Sequence, residues 1–240
     1  MHELIFALTR GQRNHTIPMF LIVKNVTGGK MKISDGQSIL FIGDSITDCG
    51  RRTTERPLGN GYVKLFSDML IVREHQKAVT VINKGIGGDI VTGLRNRWND
   101  DVLRNKPDWL SIKIGINDIH RTLRRSSDAV SPELYREAYE DILLRTKSDL
   151  SMCKLILIDP FYISTETSPS SFRSSVLKLL PEYLQIVDEL SVKYNALHIK
   201  THEIYQRLLK KHDPDTFCAE PVHPNLTGHL VIAEALYLAL

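Results

Sequence analysis

Apolar residues along this chain come in two rhythms. Short unbroken runs, rich in β-branched residues, alternate with longer stretches in which apolar positions recur every three or four residues. The first rhythm is that of strands buried on both faces, the second that of helices with one packed side. The runs predict strands at 38–43, 79–83, 109–114, 155–159 and 196–199. Between them, Tyr62, Leu65, Phe66 and Met69 form one helical stripe. Ser131 followed by Pro132 and Glu133 is a helix start, with serine as cap and proline in the first turn, and that helix is expected to reach about Leu150. A longer helical stretch covers 171–195 with Pro181 as an expected break or kink, and a last helix runs from about Leu226 to the end.

Five strands alternating with helices predict an α/β fold, a parallel sheet covered on both faces in three α/β/α layers. In such a sheet, ligands bind at the carboxyl ends of the strands. The informative segments are therefore "GDS" after the first strand, "NKGIGGDI" after the second, "GIND" after the third and "DPFY" after the fourth.

Composition narrows the class without choosing a function. A chain of 240 residues with 42% hydrophobic and 25% charged residues is ordinary for a globular protein, and one domain is the expected count. The net charge of +3 is too small to imply nucleic-acid binding, and the basic "RTLRR" at 121–125 reads as a solvated face. Cys49, Cys153 and Cys218 are an odd number without CxxC spacing, which fits neither a disulfide framework nor a zinc site and points to a reduced, cytoplasmic setting. Cys49 is expected as a small packing residue. Residues 1–30 carry only short apolar runs interrupted by Arg10, Arg13 and Lys24, with neither signal-peptide layout nor spanning length. They are expected to be an N-terminal extension of unknown role, with an extra strand around Met19–Val23, ahead of a single domain at 31–240.

Ser45 stands directly after the first strand, but a serine hydroxyl alone is a poor nucleophile. It needs a base within reach and a third group to orient that base. His223, in "CAEPVHPN", is the histidine with the best local setting, because Glu220 stands three residues before it in a proline-stiffened turn. His75, His212 and His229 are expected in helices, in surface or core roles. Acyl transfer also needs donors for a developing oxyanion. Gly85, Gly87 and Gly88 let backbone N–H groups approach a ligand, and Asn117 offers a neutral amide at a strand end. Each part has a bland alternative. Ser45 can be a helix cap, "GIGG" a turn, Asn117–Asp118 a cap pair and His223 a core histidine. Their occurrence together, in order and on successive strand ends, favours the chemical interpretation.

These four blocks resemble the SGNH, or GDSL, hydrolase family from about Met31 onwards. "FIGDSITD" corresponds to the nucleophile block with Ser45, "NKGIGGD" to the oxyanion glycine at Gly88, "GIND" to the oxyanion asparagine Asn117, and "EPVHPN" to the histidine His223. Within the family, "LFIGDSITDCGR", "KPDW", "GIND" and "PFYI" are most similar to intracellular acetylxylan esterases of Gram-positive bacteria. The resemblance implies a flavodoxin-like sheet and a metal-independent, cofactor-free esterase that acts on small acyl esters of carbohydrate through an acyl-enzyme. It implies, more weakly, a homo-oligomer; the sequence, with no surface amphipathic helix or membrane anchor, predicts no stable membrane association. Its oxyanion donors are the Ser45 and Gly88 amides and the Asn117 side chain. Arg51, Arg52, Tyr62, Trp98, His120 and Tyr162 are candidate substrate contacts, His120, Tyr162 and Arg51 foremost.

Two departures stand out. The family block is D-x-x-H, and here Glu220 holds the aspartate position, leaving Glu220, Asp213 or Asp215 as the orienting acid. His120 follows "GIND" where those esterases carry an aromatic residue. Two rival functions are a lysophospholipase or acyl thioesterase on the same machinery, and a carbohydrate-binding pseudo-esterase that has lost catalysis through Glu220.

Overall fold

A computed structural model describes residues 31–240. The expected strand near Met19–Val23 lies outside the described residues. The five strands are β1 (Ser38–Gly43), β2 (Thr80–Asn83), β3 (Trp109–Lys113), β4 (Lys154–Ile158) and β5 (Leu197–Ile199). They form one all-parallel sheet in the order β2-β1-β3-β4-β5, the doubly wound order of flavodoxin-like folds. The strand expectations hold to within a residue at each end. The interior strands are continuous apolar runs because both sheet faces are covered; every residue of β3 is buried.

Eight α-helices among the described residues surround the sheet: α1 (Ser45–Asp48), α2 (Tyr62–Arg73), α3 (Val91–Asp101), α4 (Ile116–Leu123), α5 (Pro132–Asp149), α6 (Phe172–Lys193), α7 (Thr201–Leu208) and α8 (Leu226–Ala239). On one side α2 packs on α8; on the other, α5 packs on α3 and α6, and α6 on α4. α5 starts as its sequence predicts, with the Ser131 hydroxyl accepting from the Leu134 N–H and Pro132 in the first turn. Pro181 does not break α6, which runs unbroken from Phe172 to Lys193. The lost backbone bond, a cost of about 3 kcal/mol, is outweighed by burial of Val176, Leu180, Tyr183, Ile186, Val187 and Leu190 along one face. His75 and His212 fall in turns after helices instead of within them. No helix among the described residues is long and apolar enough to cross a membrane.

Candidate active site

The carboxyl end of β1 turns sharply because Asp44 caps α1. Its Oδ1 accepts from the Ile46 N–H at 3.0 Å, and its Oδ2 accepts from the Lys113 ammonium at 3.3 Å. Both partners of that ion pair are fully buried, and Lys113 also lies 4.8 Å from the centre of the Phe161 ring. Burial pulls the Lys113 pKa down, opposed by the charge of Asp44. Sequence analysis missed this pair, although a lysine ending the apolar run "WLSIK" is its visible trace. The cap lifts Ser45 out of the sheet.

Ser45 Oγ lies 2.8 Å from His223 Nε2. On the far side of the ring, Nδ1 contacts Glu220 Oε1. The Glu220 carboxylate also accepts from the Val222 and His223 amides at 3.0 and 2.8 Å. Burial alone would raise its pKa, but these bonds and the imidazole outweigh it and hold the carboxyl below the usual range. The extra methylene of glutamate is absorbed within the turn, which folds the carboxylate back onto its own backbone. Asp213 precedes the short 3₁₀ turn Pro214–Thr216. Neither Asp213 nor Asp215 contacts the His223 ring.

The second loop leaves one donor open. The Gly85, Ile86, Gly87 and Asp89 amides are bonded respectively to Asn83 Oδ1, the Gly43 carbonyl, Asp48 Oδ2 and the Ile86 carbonyl. The Gly88 amide has no partner among the described residues, and neither has that of Ser45. Gly88 takes φ +79°, in the left-handed region that glycine enters without strain, and its carbonyl accepts from Arg121 Nη2 at 2.7 Å. Asn117 sits in the first turn of α4, not at the strand end itself. Its Nδ2 donates to the Asp89 carbonyl at 3.0 Å, which aims the amide while leaving its second hydrogen available.

A recess of about 480 Å³ opens beside Ser45 and His223, walled by Ile46, Cys49, Asn60, Asn225 and His229. His229 is buried in α8. Its Nδ1 accepts from the Tyr62 N–H at 3.2 Å, so its Nε2 carries the proton and faces Cys49 Sγ at 3.2 Å. Burial drives the His229 pKa down to about 4. Burial and the charges of Asp48 and Asp44 push the Cys49 thiol up to about 12, so it stays protonated.

The candidate contacts separate. Tyr62 and Trp98 are fully buried core residues, the first bonded to Thr47 Oγ1 and the second to Thr146 Oγ1, which removes both as substrate contacts. Arg51 spends its Nε on the Gly85 carbonyl at 2.7 Å, bracing the glycine loop. With Arg52 it lines a separate recess against β2. His120 is half-buried within reach of the charges of Glu220 and His223, and its ring meets that of the buried Tyr162 edge to face at 5.8 Å. His120 Nε2 is buried and unpartnered among the described residues. Burial and Arg124 lower its pKa to about 4.

The model of the GDSL-like lipase/acylhydrolase family matches residues 41–231. The chain belongs to that family. Together with the 35% identical acetylxylan esterase described next, that membership makes it a carboxylic ester hydrolase. An acetylxylan esterase from Geobacillus stearothermophilus is 35% identical over 214 residues, covering 85% of this chain and 94% of the relative. The crystal structure of that esterase superposes with a TM-score of 0.78 over 87% of this chain and 96% of its own. An α/β hydrolase from the metagenome of Lake Arreo, 28% identical, also reaches 0.78, covering 88% of this chain and 97% of its own. Catalytic mutants of the Geobacillus enzyme replace a serine, an aspartate and a histidine, the aspartate three positions ahead of the histidine. Glu220 and His223 share that spacing.

Proposed function

We propose that this chain is a serine esterase that removes acetyl groups from acetylated xylo-oligosaccharides through an acyl-enzyme. The observation that carries this function is the Ser45–His223 contact at 2.8 Å, with Glu220 on the opposite ring nitrogen and an open glycine amide close by. His223 Nε2 takes the Ser45 proton as Oγ attacks the ester carbonyl. The Glu220 carboxylate keeps a proton on Nδ1 and balances the imidazolium that forms. The Ser45 and Gly88 amides and the Asn117 side chain receive the oxyanion. His223 returns its proton to the departing sugar hydroxyl. Water, deprotonated by the same nitrogen, then releases acetate and restores Ser45.

Acetyl as the acyl group and xylo-oligosaccharide as the alcohol rest on the Geobacillus relative. The recess beside Ser45 is mixed in character, with Asn60, Asn225 and His229 set against Ile46, Pro224 and Leu226, so chain-length profiling carries the distinction between acyl groups. Acetate release from acetylated xylo-oligosaccharides, compared with 4-nitrophenyl esters of increasing chain length, tests the assignment. Acetyl esters should be the best substrates. Ser45→Ala should retain the fold and lose nearly all turnover, and a fluorophosphonate should label the parent chain at Ser45. A preference for long acyl chains would favour the lysophospholipase or thioesterase alternative, and sugar binding without turnover or labelling the pseudo-esterase.

A further inference from the structure

The glycine amide offered to the oxyanion sits on a turn that packing does not hold. Gly87 and Gly88 are exposed, and a Cβ added at Gly88 would meet open space. The Asp89 N–H donates to the Ile86 carbonyl at 3.2 Å, closing a four-residue turn with Gly87 and Gly88 at its centre. Of these two only Gly88 has positive φ, the pattern of a type II turn. Between turn types I and II the middle peptide is rotated about half a turn, so the glycine at 88 decides which way its own N–H points. It does not decide where the turn stands.

Hydrogen bonds do that. At the front of the turn, the Gly87 N–H donates to Asp48 Oδ2 at 2.9 Å, and Asp48 ends α1, the helix that begins with Ser45. At the back, the Gly88 carbonyl accepts from Arg121 Nη2 at 2.7 Å, and Arg121 belongs to α4, the helix that carries Asn117. The turn is therefore tied to each of the two helices that supply the other oxyanion donors. Asn117 and Arg121 are four residues apart, on one face of α4. Asn117 reaches the Asp89 carbonyl, Arg121 the Gly88 carbonyl, and Asp118 between them accepts from the Val91 N–H. Arg121 is itself held through Nη1 by Asp128. The basic segment 121–125 is thus only partly the solvated face its sequence predicts.

An oxyanion donor acts when it lies about 2.7–3.1 Å from the oxygen that forms in the transition state. A misplacement of about 1 Å at a reacting centre costs on the order of 10²-fold in rate. A charge-assisted bond to a carbonyl is stronger than a neutral one, which suits an arginine to holding an exposed peptide in place. We propose that Arg121 is a positioning residue of the esterase reaction: it holds the Gly88 carbonyl so that the Gly88 N–H and the Asn117 amide converge on one oxygen. Arg121 acts through the Gly88 peptide and does not itself meet the ester. This inference rests on the proposed esterase activity.

The test reads kcat and KM on 4-nitrophenyl acetate together with the melting temperature. Arg121→Gln should lower kcat roughly tenfold or more, the size expected for losing a hydrogen bond to a charged group. KM should stay within about twofold, because the oxyanion bond forms in the transition state. The melting temperature should shift by no more than a few degrees, since the ion pair with Asp128 is partly exposed. Methylboronic acid forms a tetrahedral adduct on a serine nucleophile, and its Ki should rise in Arg121→Gln by the factor by which kcat falls. Gly88→Pro removes the donor N–H outright, and in that background Arg121→Gln should lower kcat by less than about threefold further. If Gly88→Pro does not fold, the boronate comparison decides alone. A kcat near that of the parent, a rise in KM alone, an unchanged boronate Ki, a loss of activity that follows loss of the fold, or an undiminished effect in the Gly88→Pro background overturns the inference and leaves the esterase standing. A parent chain that neither hydrolyses 4-nitrophenyl acetate nor takes a fluorophosphonate at Ser45 overturns the esterase itself, and the role of Arg121 with it.

Discussion

Glu220 is the residue at which this chain leaves its family's pattern, and its geometry makes a sharp expectation possible. A carboxylate on His223 Nδ1 fixes the tautomer whose Nε2 can accept the Ser45 proton. In serine proteases, neutralising the orienting acid costs about 10⁴ in kcat. Glu220→Gln should therefore cut kcat by at least about 10², the loss being smaller because this pair is half exposed. Glu220→Asp should retain most of the activity, while Asp213→Asn and Asp215→Asn should be close to the parent chain. Rates on 4-nitrophenyl acetate for the four variants decide the matter: an aspartate variant that collapses while Glu220→Gln survives would reassign the acid. Candidates named from their place in a motif loop fared unevenly at this scale. His120 stayed half-buried, whereas Tyr62, Trp98 and Tyr162 are buried in the core. A large aromatic near a motif has no local signal that distinguishes a wall from a core position.

Among the elements, α3 and α4 are joined by Asp118, whose Oδ1 accepts from the Val91 N–H at the start of α3 while Oδ2 has no partner. Burial raises its carboxyl from the ordinary 3.8 to about 7. Between those values the folded chain holds a proton that the unfolded chain has released, so this group's contribution to stability falls as pH rises from about 4 to 7. Asp118→Asn keeps the acceptor for Val91 and cannot ionise. Its melting temperature relative to the parent should therefore rise between pH 5 and pH 8. A constant difference across that range would show that Asp118 titrates normally. Element positions were legible because period and capping are local: β1, the start of α5 and the extent of α8 follow their sequence signals. The continuity of α6 through Pro181 was not, because the packing that overrides the proline comes from distant strands and helices.

Across the whole molecule, the Asp44–Lys113 pair links the nucleophile turn to the central strand through the core. Removing one partner of a buried pair strands the other charge, at a cost of about 3–5 kcal/mol. Lys113→Met should destabilise the chain by that order in urea unfolding. Asp44→Asn/Lys113→Met should recover a large part of it, since asparagine keeps the cap acceptor for Ile46. A double variant no more stable than Lys113→Met would mean that the lysine contributes through packing and its contact with Phe161, not through charge.

The order of strand, nucleophile block, glycine loop, "GIND" and histidine turn is a property of the sequence alone, and with it came the parallel sheet and the residues of the candidate site. These are short-range signals, carried by periodicity and by glycine, proline and capping side chains within a few positions of one another. Tertiary structure alone decided what joins Ser45 to a histidine 178 positions away. It also decided which amide of the glycine loop stays free, which carboxylate reaches His223, and that a lysine is buried beneath the nucleophile. Each of these depends on atoms brought together by packing across the sheet, and no spacing along the chain encodes a distance between segments that meet only when it is folded.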